Sequence, residues 1–194
     1  MIPEAILTAL FLGWALKGKF GRLADVHIQY GWMIFVPLGL YLGALGANYA
    51  HAFEKTSWVF AMVHVVGLLA LMVVALANRQ IAGVKLLFAG LAANSVAIIA
   101  NGGFMPASQG AIKAVWGSEV LKQILTDSFI RHAIIDSGTR LAFLCDIIAA
   151  RRPYVLMPSV YSVGDVLISI GGLIAIVAIM RTPLPSEQSA ARGA

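Results

Sequence analysis

Charge is scarce in this chain. Lys and Arg number 14 and Asp and Glu 9, so 12% of the 194 residues are charged, about half of the roughly 25% usual in soluble domains. That is too little polar side chain to cover a water-soluble surface. With 60% apolar residues and a mean hydropathy of +0.86, the lipid bilayer is the expected solvent and partner. Cysteine is nearly absent too. Cys145 stands alone, which excludes an internal disulfide and a cysteine-based metal cluster within one chain. Its expected role is that of a small buried hydrophobe rather than a reactive thiol. The four histidines lack H-x-x-E or H-E-x-x-H spacing, so no metal site is expected. A nucleophile elbow, a phosphate loop and a dinucleotide fingerprint are also missing, and no catalytic residue is assigned. The net charge of +5 comes without a basic helix or an aromatic-interleaved basic patch, which argues against nucleic acid.

What the chain does have is a series of apolar runs. Pro3 and Glu4 suit the first turn of a helix, because proline there loses no hydrogen bond and acid complements the dipole. The run 6–16 that follows is short for a full crossing. Its basic residues come after it rather than before it, the reverse of a secretory signal, so a retained first helix is expected. Residues 31–50 form a full-length span with Tyr30, Trp32 and Tyr49 at its ends, as interfacial aromatics do. Pro37 is placed to kink it, and Gly39 and Gly43 are spaced for close approach of a second helix. Residues 51–56 read as a polar hairpin, Ser57–Ala77 as the next span, and 81–100 as another, with Asn94 and Ser95 as its polar interior residues. Residues 166–180 supply the last apolar run.

The expected fold is therefore an all-α integral membrane protein. It has about five transmembrane helices, an amphipathic helix and a re-entrant half-helix, all in one domain over residues 1–181. Residues 182–194, rich in Pro and Ser, read as a disordered tail. Lys17, Lys19, Arg22, Arg79 and Arg181 flank the runs on one side, which places the N-terminus outside and the C-terminus in the cytoplasm. Lys113, Lys122, Arg131, Arg140, Arg151 and Arg152 then fall on the exterior side, in a long segment where such charges count less.

That segment, 101–165, holds five of the nine acidic residues and six of the fourteen basic ones. Residues 108–126 have the spacing of one amphipathic surface helix, with Ile112, Val115, Trp116, Val120, Ile124 and Leu125 sharing a side. Residues 141–150 are apolar apart from Cys145 and Asp146 and too few to cross, which suggests a re-entrant half-helix. Asn101-Gly102-Gly103-x-Met105-Pro106 closes a span, and a helix C-cap explains it as well as a binding turn does. Ser162-Val163-Gly164-Asp165 opens the last span, where Ser and Asp have a capping role. An acid beside an apolar span is nonetheless a candidate site, because it needs a partner or water. Asp165 has that standing, with Arg140 and Arg151 or Arg152 as its plausible partners. So has Asp146, which lies six residues after Arg140, a spacing that a half-helix does not place on one face. His64 is the one ionisable residue deep in a long run. It suits helix packing or a hydrogen bond first, and a haem or pigment ligand second.

These motifs, together with Leu144-Cys145-Asp146, resemble a bacterial multispan membrane family of unknown function, over most of the chain from Pro3 to Met180. The resemblance implies that Asn101, Gly102, Gly103, Met105, Pro106, Asp146, Ser162, Gly164 and Asp165 are the family's characteristic polar positions. It implies no activity. The chain departs from the family's usual Leu-Gly-Asp at Cys145. The expected function is non-enzymatic: an outward-facing site of Asn101, Gly102, Gly103, Met105, Arg140, Asp146, Ser162 and Asp165 binds a small polar solute, an ion or a lipid headgroup. A bacterial inner-membrane location and a homo-oligomeric or complex partner go with it. The competing expectation is an accessory subunit of an energy-transducing complex, in which His64 contributes to a haem, pigment or quinone site. A third is a membrane enzyme acting on lipid, with Asp146 or Asp165 as base.

Overall fold

The computed structural model describes residues 1–49, 57–126 and 134–183, with the side chains of 44–49 and 57–60 outside that description. The hairpin expected at 51–56, His51, Arg131, His132 and the tail beyond Pro183 lie outside the described residues. Most of the chain is helical: α1 (Ile2–Ala15), α2 (Gly21–Asp25), α3 (Phe35–Tyr49), α4 (Ser57–Ala77), α5 (Val84–Ala100), α6 (Gln109–Trp116), α7 (Ser118–Thr126) and α8 (Val163–Arg181). Strands β1 (Ile148–Ala150) and β2 (Ser159–Tyr161) pair antiparallel.

Among the described residues one helix, α8, is long and apolar enough to cross a bilayer, with a mean hydropathy of 2.4. Ile2–Ala15, Gly31–Gly43, Ala61–Ala77 and Val84–Ala100 are shorter apolar helices. The helices alternate in direction. Glu4 at the start of α1 accepts from the backbone N–H of Leu156 (2.6 Å), just ahead of α8, while Gly18 beyond its end lies against Met180 at the end of α8. Helices α1 and α8 therefore run parallel. Helix α5 runs against them, with Gly83 beside Gly171 and Gly90 beside Gly164. Ala61, early in α4, touches Gly103 after the end of α5, so α4 runs with α8. Pro37 of α3 packs on Gly67 of α4.

The seam between α5 and α8 is the most extensive contact among the described residues, and glycine makes it possible. A Cβ on Gly90 would lie 2.5 Å from the carbonyl oxygen of Gly164, and one on Gly171 would lie 2.5 Å from the backbone nitrogen of Leu87. The pairs 83/90 and 164/171 are each seven residues apart, so both glycines of a helix face the same neighbour. Ala75, Val84, Leu91 and Ala175 fill the rest of this core. In contrast, an added Cβ at Gly39 or Gly43 meets no atom of the described residues within 4 Å. Among those residues, nothing closes on the small-residue face expected to pack against another helix.

Three expectations are corrected by the segment between α5 and α8. The amphipathic stretch is two helices, not one, because Gly117 breaks it at φ 89°, a conformation glycine adopts without steric cost. The re-entrant half-helix is not formed. Leu141 turns left-handed (φ 51°), Ala142–Leu144 make one 3-10 turn, and Cys145 is already extended. From there the chain joins a small extended layer: Asp146 donates to the carbonyl of Pro106 (3.0 Å), and Ile147 to that of Tyr161 (3.1 Å). The β-branched pair Ile147-Ile148 suits a strand better than a half-helix. With β1 and β2 present, the fold is helical with a small sheet rather than all-α. Ala107 is bridged on one side to Ile134 and on the other to Asp146. The result is an extended cap over one end of the bundle, seated on Ala111, Ile112, Ile134 and Val160.

Candidate functional site

The N-terminus of α8 meets the last turns of α5 under this cap. Ser162 and Asp165 form a capping box: the Ser162 hydroxyl accepts from the Asp165 N–H (2.9 Å), and Asp165 Oδ2 accepts from the Ser162 N–H (3.0 Å). The box satisfies two of the free backbone donors that begin every helix. Asn94, 7% exposed in the middle of α5, joins it from across the seam. Its amide donates to Asp165 Oδ1 (2.9 Å), and its Oδ1 accepts from the Ser162 hydroxyl (2.8 Å). Gly164 makes room for this, because a Cβ there would collide with the Asn94 side chain. Both oxygens of Asp165 are thus engaged, and its charge sits at the positive end of the α8 dipole.

Asp146 faces the opposite situation. Its main chain is fixed between Pro106 and Ser108, the latter donating its N–H to the Asp146 carbonyl (2.8 Å). Its carboxylate atom Oδ1 is buried without a hydrogen-bond partner. Burial first, and the nearby Asp165 charge second, push its pKa up to about 7. Two carboxylates that share a partly dry space cannot both ionise freely, and the less solvated one holds its proton longer. Asp146 therefore changes its protonation near neutral pH.

Other residues singled out from the sequence have structural duties. The Asn101 side chain ties the end of α5 to the following turn. It accepts from the Arg140 N–H (2.9 Å) and donates to the carbonyls of Ala97 (2.8 Å) and Arg140 (2.9 Å). Gly102 (φ 70°) and Gly103 (φ 94°) end the helix, and Gly103 lies against Ala61. Met105 is half-buried and Pro106 fully buried. Arg140 is exposed, and among the described residues no ion pair joins it to Asp146 or Asp165. Its backbone, not its guanidinium, connects it to Asn101. Cys145 is fully buried, and burial raises its thiol pKa, which disfavours the reactive thiolate. His64 is exposed on α4. Thus Asp146, Ser162 and Asp165 come together, Asn101 and Arg140 form a neighbouring clamp, and His64 belongs to neither.

Asn94 is the residue that sequence reasoning left out of the site. The available signal was its register. It follows Gly90 by four residues in an otherwise apolar helix, so amide and glycine share the face turned to α8.

These features define a class: a helical protein with a glycine-sealed seam and a small sheet that brings a second acid within electrostatic reach of a capped one. Residues 25–177 match the family of unknown function DUF5317, and the chain belongs to that family. Comparison with curated proteins and with solved structures returns no match.

Proposed function

We propose that this chain is a multispan protein of the bacterial inner membrane that binds a cation or a small hydrogen-donating solute between Asp146 and Asp165. The observation that carries the reading is the Asp146 carboxylate, buried on one oxygen, unpartnered there and held beside a second acid. A ligand bearing positive charge or N–H donors would supply what that oxygen lacks.

Several features support a bilayer setting. Phe11 (62%), Phe35 (68%), Met62 (59%) and Ile99 (57%) stand exposed on four different helices, large apolar side chains that a bilayer would cover. Arg22 and the Lys19 backbone both bind the Met180 carbonyl, and Arg181 follows it. Arg79 lies beside Asn78, whose amide holds Gln29. The basic flanks of the apolar runs thus gather at the end of the bundle opposite the cap, which fits a cytoplasmic base and an exterior cap. Five crossings, by α1, α3, α4, α5 and α8, satisfy that orientation.

The test is thermal unfolding of the detergent-purified chain at pH 8. Sodium, potassium, magnesium and ethylammonium chlorides are compared with choline chloride at equal ionic strength. One of the small cations should raise the unfolding temperature of the wild type and leave Asp146→Asn unmoved. A wild type that responds identically to all five salts overturns the reading.

A further inference from the structure

A second feature lies along the bundle axis. Helix α1 leans on α8 and α4 leans on α5, and between α1 and α4 runs a groove of ≈ 400 Å³ floored by α5 and α8. Its walls are apolar over the whole length, from Ile2 and Ile6 of α1 to Leu71 of α4 and Leu87 of α5. On α8 it extends from Ile168 to Ile179, about 17 Å at ~1.5 Å per residue. One polar atom in it is unemployed. Ser169 lines the groove at the cap-side end and is 7% exposed, and its Oγ has no hydrogen-bond partner. Asn78 at the other end has its amide and carbonyl engaged with Gln29 and Val74. A buried hydroxyl without a partner is costly, and a bound acceptor would relieve it.

We infer that this groove holds one acyl chain of an ester-linked membrane lipid, with the ester carbonyl accepting from Ser169 and the tail running toward Asn78. Length, direction and polarity favour this occupant. The groove follows the helix axes, lined on α8 from Ile168 to Ile179, as a lipid chain follows the bilayer normal. It offers a single donor at one end, which suits one neutral carbonyl. No cation lines it, so a free fatty-acid carboxylate would stay uncompensated there. The inference rests on the bilayer setting proposed above and not on the carboxylate pair.

Gly172 provides the decisive variant. It lines the groove, and a Cβ built there meets no atom within 4 Å, so a large side chain fills the space without disturbing the seam. Native mass spectrometry of the full chain, released from micelles containing dioleoyl phosphatidylglycerol, counts the lipids retained. Wild type should keep one lipid, and Gly172→Phe should keep none while melting no lower. Asp146→Asn should keep its lipid, which separates this site from the cation site. Ser169→Ala, nearly isosteric, should bind the ester lipid about two- to tenfold more weakly, the worth of one neutral hydrogen bond. It should also lose the wild type's preference for the ester lipid over its dialkyl-ether analogue. Equal retention by wild type and Gly172→Phe overturns the inference. So does a wild-type preference that Ser169→Ala preserves, or a wild-type dimer that Gly172→Phe dissociates, which would give the groove to a second copy.

Discussion

The α5–α8 seam and the extended cap each contribute one carboxylate to the same place, and they treat it in opposite ways. In the seam, Asp165 is fully provided for: an amide from Asn94, a backbone N–H from Ser162 and the start of a helix. In the cap, Asp146 has its backbone secured on both sides and its carboxylate left short. A saturated acid explains itself by the fold it completes. An acid with a buried oxygen left unsatisfied does not, because removing it should improve the fold. The comparison separates the structural member of the pair from the one available to a ligand.

The comparison breaks most severely at the glycine seam. Gly90→Val inserts a branched side chain where a single Cβ already lies 2.5 Å from the Gly164 carbonyl and 2.8 Å from Ile168. Backbone cannot retreat as a side-chain tip can, so the helices must separate. We expect a loss of about 3 kcal/mol or more, read as a collapse of the unfolding temperature and loss of a monodisperse peak in detergent. Gly39→Ala is the control on the open face. With nothing within 4 Å, it should be neutral or stabilise by up to about 1 kcal/mol through helix propensity.

Next in size is Asn94→Leu. It leaves the Ser162 hydroxyl and one Asp165 oxygen without their cross-seam partner, at a cost of about 2–3 kcal/mol. The same change frees Asp165 from its amide, so both acids should then respond to cations. A stable Asn94→Leu protein with wild-type cation response would show that the seam is not what distinguishes the two carboxylates.

Sequence reasoning reached the helical part of this fold and the neighbourhood of the site, but not the cap. Apolar runs and end signals are local, so α4, α5 and α8 are legible from residues in their own span, and so is the capping role of Ser162 and Asp165. The cap depends on partners far apart in sequence: Ala107 with Ile134 and Asp146, and Ile148 with Tyr161. Three-residue strands carry no periodicity long enough to see, and 141–150 is equally apolar whether it turns or winds. The glycine pairs show the same limit. Gly39 and Gly43 have the better-known spacing yet meet none of the described residues, whereas Gly83, Gly90, Gly164 and Gly171 match only once two helices are set side by side. Asn94 was visible as a polar residue in an apolar helix, but its partner lies 71 residues away.

A pH titration sharpens the comparison without disturbing the packing. Folding raises the Asp146 pKa from 3.8 to about 7, so between those values the folded chain holds a proton that the unfolded chain has released. The contribution of Asp146 to stability is then fully present below about pH 4, falls as pH rises toward 7, and levels off above it. In Asp146→Asn that decline should vanish. The variant should exceed wild type at pH 8 by on the order of 1–2 kcal/mol, less than full conversion of the shift because the group retains some contact with solvent. Unfolding temperatures of both proteins at pH 5 and pH 8 in choline chloride decide it. Parallel curves would mean that Asp146 titrates normally and that its environment is wetter than its burial implies.

The smallest expected effect comes from the exposed side of α7, which packs on α6. Lys122 and Glu119 form an ion pair at 2.9 Å on α7, with side chains 70% and 80% exposed. Water screens such a pair, and holding two long side chains in one arrangement costs entropy that offsets most of the attraction. Glu119→Gln should therefore change stability by only about 0.3 kcal/mol, and 0.5 M salt should erase even that. The contrast with Asp146 is then one of solvent rather than of charge. Glu119 on α7 has a cation within reach and contributes almost nothing, while Asp146 in the cap has a buried oxygen without a partner and carries a pH-dependent contribution. A loss above about 1 kcal/mol in Glu119→Gln, insensitive to salt, would show that α7 is shielded from water, as a helix pressed against a membrane surface or another chain would be.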